Sequence, residues 1–149
     1  MKSHSRVLLA AIAAAALAAC ASGPATATFR GQPVKVLSGM SMNCAEPYAL
    51  TRDCSSNGGA RMRVRAGQVV VRVAGTADGR TIVVMSEAAI PSQPKSEEAA
   101  IAVQGLVAPI GAQLVKIEAL GSLGGTITGY VMQFDRDVYN VLRDNSLTG

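Results

Sequence analysis

From Arg61 to Val73 polar and apolar residues alternate, the period-two pattern of a half-buried strand. A two-residue turn at Ala66-Gly67 folds this stretch into a hairpin in which Val64 faces Val69, Met62 faces Val71 and Arg61 faces Arg72. Met62, Val64, Val69, Val71 and Val73 then share one side, and Arg61, Arg63, Arg65, Gln68 and Arg72 share the other. A type I′ turn at Asp78-Gly79 returns the chain as Thr81–Met85, which adds Ile82 and Val84 to the apolar side and completes a three-stranded meander. Glu87 lies across from Val70 in this register, near Arg63 and Arg72, and neutralises part of the arginine side.

Pro91 and Pro94 end the strand pattern. Ser96 then caps a helix whose first turn carries Glu97 and Glu98 and which runs to about Val107, apolar nearly all round as a helix pressed onto a sheet would be. Pro109 disfavours helix at Ala108, and Gly111 turns the chain. Val115, Ile117 and Ala119 alternate, residues 122–125 form a turn, and Thr126–Phe134 alternates again as a second hairpin. A short helix over Asp135–Arg143, capped by Asp135, closes the pattern. Upstream, Pro33–Leu37 reads as a first strand, while Ala21–Thr28 is small, polar and aperiodic, as a tether is. The expected fold is α+β: a small antiparallel sheet of meander plus second hairpin, covered on one face by one main helix. The expected organisation is a signal helix over residues 1–19, a tether over residues 20–32 and a single domain over residues 33–149.

The start of the chain changes the picture. Lys2 and Arg6 precede an apolar run from Val7 to Leu17 that is too short to span a bilayer, and small residues follow it, which is the layout of a secretory signal. Leu17-Ala18-Ala19-Cys20 resembles the lipobox of bacterial lipoproteins at all four positions. That resemblance implies diacylglycerol on the Cys20 sulfur, cleavage after Ala19 and acylation of the new amine by a palmitate-type chain. It also implies the outer membrane, because Ala21 stands where inner-membrane members of the family usually carry Asp.

Removing the signal leaves about 130 residues, enough for one modest core. Of 14 basic residues Lys2 and Arg6 are lost, so 12 face 10 acidic ones and the mature charge is +2. With five aromatics, Phe29, Phe134, Tyr48, Tyr130 and Tyr139, the chain lacks the basic stripe and stacking platform of a nucleic-acid binder. The one histidine, His4, leaves with the signal, which removes Ser-His-Asp, Cys-His and His-metal machinery from the mature chain. Two carboxylate pairs remain, Glu97/Glu98 and Asp135/Asp137, and read as a helix start and a solvated turn. Gly58-Gly59 and Gly124-Gly125 read as turn glycines, because neither has the spacing of a phosphate loop.

No cofactor and no metal site are expected. Arg61, Arg63, Arg65 and Arg72 are the candidate anion-binding residues, four guanidinium groups on one sheet face that either grip phosphate and carboxylate oxygens or form a solvated surface. The main helix, Val115–Ala119, the glycine turn and Thr126–Met132 together resemble part of a BON domain, a periplasmic module associated with phospholipid binding. The sequence thus points to a non-catalytic structural or interaction module on the periplasmic side of the cell outer membrane. Its expected partners are the membrane through Cys20, envelope proteins and anionic lipids, with phospholipid, lipopolysaccharide or peptidoglycan as the ligands of the alternative binding role.

Lipidating Cys20 leaves Cys44 and Cys54 as a pair in an oxidising compartment. A structural disulfide is the natural reading; a metal site would need more ligands nearby, and a redox motif would bring the two cysteines closer together. Closing this loop stabilises the fold by about 2–3 kcal/mol in the chain-entropy model. Non-reducing peptide mapping of protein taken from the periplasm is expected to find Cys44 joined to Cys54, and two free thiols there would refute the pairing.

Overall fold

The computed structural model describes residues 26–38, 62–122 and 124–147. It is built on a six-stranded sheet with the strand order β3-β7-β8-β6-β5-β4, beside a two-stranded hairpin β1-β2. The elements are β1 (Ala27–Phe29), β2 (Gln32–Val34), β3 (Val36–Ser38), β4 (Met62–Ala66), β5 (Val69–Gly75), β6 (Thr81–Ser86), α1 (Gln93–Val107), β7 (Leu114–Gly121), β8 (Ile127–Phe134) and α2 (Tyr139–Asp144). A 3-10 turn at Ala108–Ile110 ends α1, and Gly111 leaves it in the left-handed region at φ 77°.

The meander forms with its faces as expected and its turns displaced. Ala66 pairs with Val69, Val64 with Val71 and Met62 with Val73, so the turn is Gly67-Gln68 rather than Ala66-Gly67. Gly67 has φ 61° and occupies the first central position, which a type II′ turn reserves for glycine. Each partner moves by two residues, so every side chain keeps its face. The second turn is likewise not a two-residue type I′ turn. The Gly79 N–H donates to the Thr76 carbonyl and the Thr76 N–H to the Thr81 carbonyl, which makes a four-residue loop. Asp78 Oδ1 holds that loop by accepting from Thr76 Oγ1 at 2.6 Å and from the Arg80 N–H at 3.0 Å.

Three further expectations are corrected. The N-cap of α1 is Ser92, whose Oγ accepts from the Lys95 N–H, with Pro94 in the first turn. Ser96 lies inside the helix and is fully buried, donating to the Ser92 and Ile127 carbonyls; proline suits a first turn, where its missing N–H has no partner to lose. Asp135 does not cap α2. It accepts from the Gln113 N–H and pairs with Arg136, while Asp137 accepts from the Tyr139 N–H. Val115 leaves the alternation of β7, because a bulge between Leu114 and Lys116 sets two residues against one partner and turns Val115 out, 62 % exposed.

The N-terminal segment differs most. Residues 20–32 were expected as tether, yet Ala27 and Phe29 are buried in the main core and β1 pairs with β2. The strand expected over Pro33–Leu37 divides at Lys35. Its first half pairs with β1, and its second half joins β7 in parallel, with Leu37 beside Leu120. The large sheet is therefore mixed rather than antiparallel. The expected signal helix over residues 1–19 lies outside the described residues.

The inner face of the sheet carries the main core. Val64, Val71, Val73, Ile82, Val84, Ala119, Tyr130, Met132 and Phe134 meet Ala99, Ala100, Val103 and Val107 of α1 and Leu142 of α2. The hairpin docks on this same core through Phe29, whose ring lies 5.7 Å from that of Tyr130. The Tyr130 hydroxyl donates to the Thr28 carbonyl at 2.7 Å, and Gln93 Nε2 donates both to that carbonyl and to the Tyr130 oxygen. Burial pushes the Tyr130 phenol above its ordinary pKa, so it stays protonated and keeps this donor. At the far edge, residues 145–147 run along β4: the Arg65 N–H donates to the Asn145 carbonyl, the Leu147 N–H to the Arg63 carbonyl, and Ser146 bridges Val64.

Val71→Asp would place an unpaired carboxylate between sheet and α1, where Val71 is fully buried. The expected loss is about 4 kcal/mol or more, measured by chemical denaturation; a midpoint close to that of the wild-type protein would contradict the assignment of faces.

Candidate functional site

Alternation sends Arg63 and Arg65 of β4 and Arg72 of β5 to the outer face, opposite α1, and all three are exposed. Arg63 and Arg72 are directly opposed across the β4-β5 ladder. Glu87, just past the end of β6, lies between them. It is paired with Arg63, whose Nη2 donates to Glu87 Oε2 at 2.9 Å and whose Nε donates to Oε1, while Arg72 Nε stands 3.9 Å from Oε1. The hydrogen bonds from Arg63 hold the Glu87 carboxyl below its ordinary value, and the same contact raises Arg63. Arg63 and Arg72 therefore share one carboxylate, and the three arginines outnumber it by two among the described residues of this face.

The middle of the outer face is apolar. Leu37 lies beside Leu120, Leu120 beside Gly129, Val131 beside Val83, Val83 beside Ala74, and Met85 beside Arg72. Gly129 makes this row possible. A Cβ there would stand 2.6 Å from the Val84 carbonyl oxygen and 2.8 Å from Met85 Cγ, so the glycine leaves room for the close approach of β6 and the Met85 side chain. Toward β7 the face ends in Glu118, buried, with Lys116 Nζ 3.3 Å from its Oε1. Arginines and apolar side chains thus divide one sheet face into a charged end and an apolar end.

Cys20, Ala19, Cys44, Cys54 and Arg61 lie outside the described residues, so the structure brings together Arg63, Arg65 and Arg72 of the residues singled out above. It adds Arg30. The turn Arg30-Gly31 has φ 50° and 80°, and a non-glycine residue in the left-handed region costs about 1–2 kcal/mol. The strain is offset by contacts to α1. The Arg30 N–H donates to Glu97 Oε2 at 2.7 Å, its Nε and Nη2 donate to Gln104 Oε1 at 3.0 and 2.9 Å, and its guanidinium lies 5.6 Å from the centre of the Phe29 ring. The side chain borders a shallow groove with Gln104, Gly105, Ala112 and Gln113. Its role is to fasten the hairpin, and an Arg-Gly turn lacks the Asn-Gly or Asp-Gly signature by which sequence reveals such a turn. Among the described residues no cluster of three or more His, Cys, Asp or Glu side chains is placed to hold a metal ion.

No family model, no curated protein and no solved structure matches the chain.

Glu87 titrates below the ordinary glutamate range when folded, so its pairing stabilises the protein above the unfolded carboxyl value and is lost as pH falls through the folded one. Glu87→Gln is therefore expected to lower stability at about pH 7 and to match the wild-type protein at about pH 2. Urea denaturation at the two pH values checks this, and a stability difference that persists in acid would overturn the assignment.

Proposed function

We propose that this chain is an outer-membrane lipoprotein of a bacterial envelope, anchored through Cys20, whose domain is a non-catalytic structural or interaction module facing the periplasm. The lipobox at residues 17–20 motivates the anchor. The observation that carries the reading is the docking of β1-β2. Because Ala27 and Phe29 are already core residues, only residues 21–26 lie between Cys20 and β1, a stretch of chain that spans at most about 25 Å. A domain held this close works at the membrane surface rather than deep in the periplasm. More than one acyl chain makes such an anchor stable, where a single chain binds only marginally.

The excess of arginine over carboxylate among the described residues of the outer face supports a second reading, a binding domain for anionic envelope ligands such as phospholipid headgroups, lipopolysaccharide phosphates or peptidoglycan carboxylates. Arg63, Arg65 and Arg72, with Arg61 beyond Met62, are the residues that would grip them.

Membrane fractionation and N-terminal mass spectrometry test the anchor. Wild-type protein is expected in the outer-membrane fraction with an acylated N-terminal Cys20, whereas Cys20→Ser is expected to persist as an uncleaved precursor; normal processing of that variant would overturn the proposal. Anionic vesicles test the second reading. Binding that weakens as salt rises and is lost when Arg61, Arg63, Arg65 and Arg72 are together replaced by Gln supports it, and no binding even at low salt removes it.

A further inference from the structure

The strand pairings fix which ends of the elements lie together. Ala66 pairs with Val69, Val71 with Ser86, Val84 with Tyr130 and Gly121 with Ile127, so β4, β6 and β7 finish, and β5 and β8 begin, at one end of the sheet. The start of α1 lies there too, because Ser96 Oγ donates to the Ile127 carbonyl. β1 runs beside α1 in the same direction: its Thr28 carbonyl accepts from Gln93, and Arg30 reaches Glu97 and then Gln104. The chain therefore enters the domain, at Thr26, from this same end.

Two observations set this entry end apart. The first is exposure. Residues 87–92 link β6 to α1 there, and Ala89, Ile90 and Pro91 are all exposed; Ile90, at 81 %, is the most exposed large apolar side chain among the described residues. The second is charge. Among the described residues of the three connections at this end, Gly67-Gln68, 87–92 and 122–126, Glu87 alone is charged, and Arg63 pairs with it. The three connections at the opposite end, residues 76–80, 108–113 and 135–138, carry Asp78, Arg80, Asp135, Arg136 and Asp137. Ile110 and Val115, the other exposed apolar side chains, lie at that charged end, where the Ile110 carbonyl accepts from Arg136 and Val115 precedes Lys116. Contact with lipid withdraws side chains from water, which a charged loop opposes and an apolar one favours.

We infer that the Ala89-Ile90-Pro91 loop is a membrane contact: Ile90 enters the headgroup region of the bilayer that holds Cys20 and turns the entry end of the domain toward the lipid. The inference rests on the anchor proposed above and adds an orientation to it. A tether of up to about 25 Å is as long as the eight-residue β7, so by itself it lets either end of the sheet meet the membrane. One isoleucine binds lipid too weakly to hold a free protein at a surface. A tethered one meets the bilayer at high local concentration and has only to select among orientations. In the selected orientation Arg65, one residue before the end of β4, is the outer-face arginine nearest to the headgroups.

The chain has no tryptophan, so a single introduced indole reports its own depth. The test uses the acylated full-length protein in vesicles of phosphatidylethanolamine and phosphatidylglycerol whose acyl chains carry bromine just below the headgroups, where it quenches tryptophan emission on contact. Ile90→Trp is expected to be quenched at least about threefold more strongly than Val115→Trp, an exposed position at the opposite end that carries the same intrinsic preference of indole for lipid. Gln68→Trp keeps Ile90 in place; it is exposed and shares a cleft with Ala88 at the entry end. Its quenching is expected to fall when Ile90→Asp is added. Equal quenching of Ile90→Trp and Val115→Trp in protein that floats with the vesicles overturns the inference and leaves the anchor standing. Quenching of Gln68→Trp that Ile90→Asp leaves unchanged does the same. Protein that does not float with the vesicles overturns the anchor, and the inference with it.

Discussion

The close fit of α1 against β8 and β6 is the contact on which the rest of the architecture depends. Its buried side chains are small, Ala99, Ala100 and Val103, with Val107 at the C-terminal end, and the bulk comes from the sheet as Tyr130, Met132, Ile82 and Phe134. Small helix residues bring the backbone near the strands, and large strand residues fill the space between. A closely docked helix leaves no depth for another layer on that side. The β1-β2 hairpin is therefore held at the flank of α1 through Arg30, Glu97 and Gln104.

The hairpin is tied to the sheet by a polar knot as well as by packing. Tyr130 and Gln93 converge on one carbonyl, that of Thr28. The same knot joins β1, the centre of β8 and the first turn of α1. Force applied through the residues that precede Ala27 thus passes into the central strand of the sheet rather than into a peripheral loop.

The meander and its faces were legible because period-two alternation survives an error in the turn. Placing the turn at Ala66-Gly67 instead of Gly67-Gln68 changed every partner and no face, and the contact of Glu87 with Arg63 and Arg72 followed from composition and register together. The extent of α1 was equally legible at its C-terminal end, where Pro109 marks it. Its start was not, because Ser92 and Ser96 are both competent caps, and in the structure Ser96 is drawn inside the helix, donating to the Ser92 and Ile127 carbonyls. The parallel pairing of β3 with β7 left no local trace, since it joins residues some eighty positions apart and splits an apparently continuous strand at Lys35. The outer face had a signal that alternation alone hides: Val83, Met85, Leu120 and Val131 occupy positions facing away from α1 and are apolar, as expected of strands covered on both sides. Among the candidate site residues, the arginines could be assigned a face from sequence, but how far Glu87 neutralises them depended on geometry.

Residues 145–147 illustrate how the end of an open sheet is made safe. An unpaired outer strand offers a row of N–H and C=O groups to any other chain, and a sheet with such an edge is prone to recruit a neighbour and grow by addition. Here the Arg63 carbonyl and the Arg65 N–H are already satisfied by Leu147 and Asn145, the exposed side chains along the same strand are arginines, and β3 at the opposite edge is only three residues long. Both borders therefore resist strand addition by separate means, saturation at one and brevity at the other. For molecules concentrated side by side, that resistance keeps encounters between them from becoming sheet-to-sheet polymerisation.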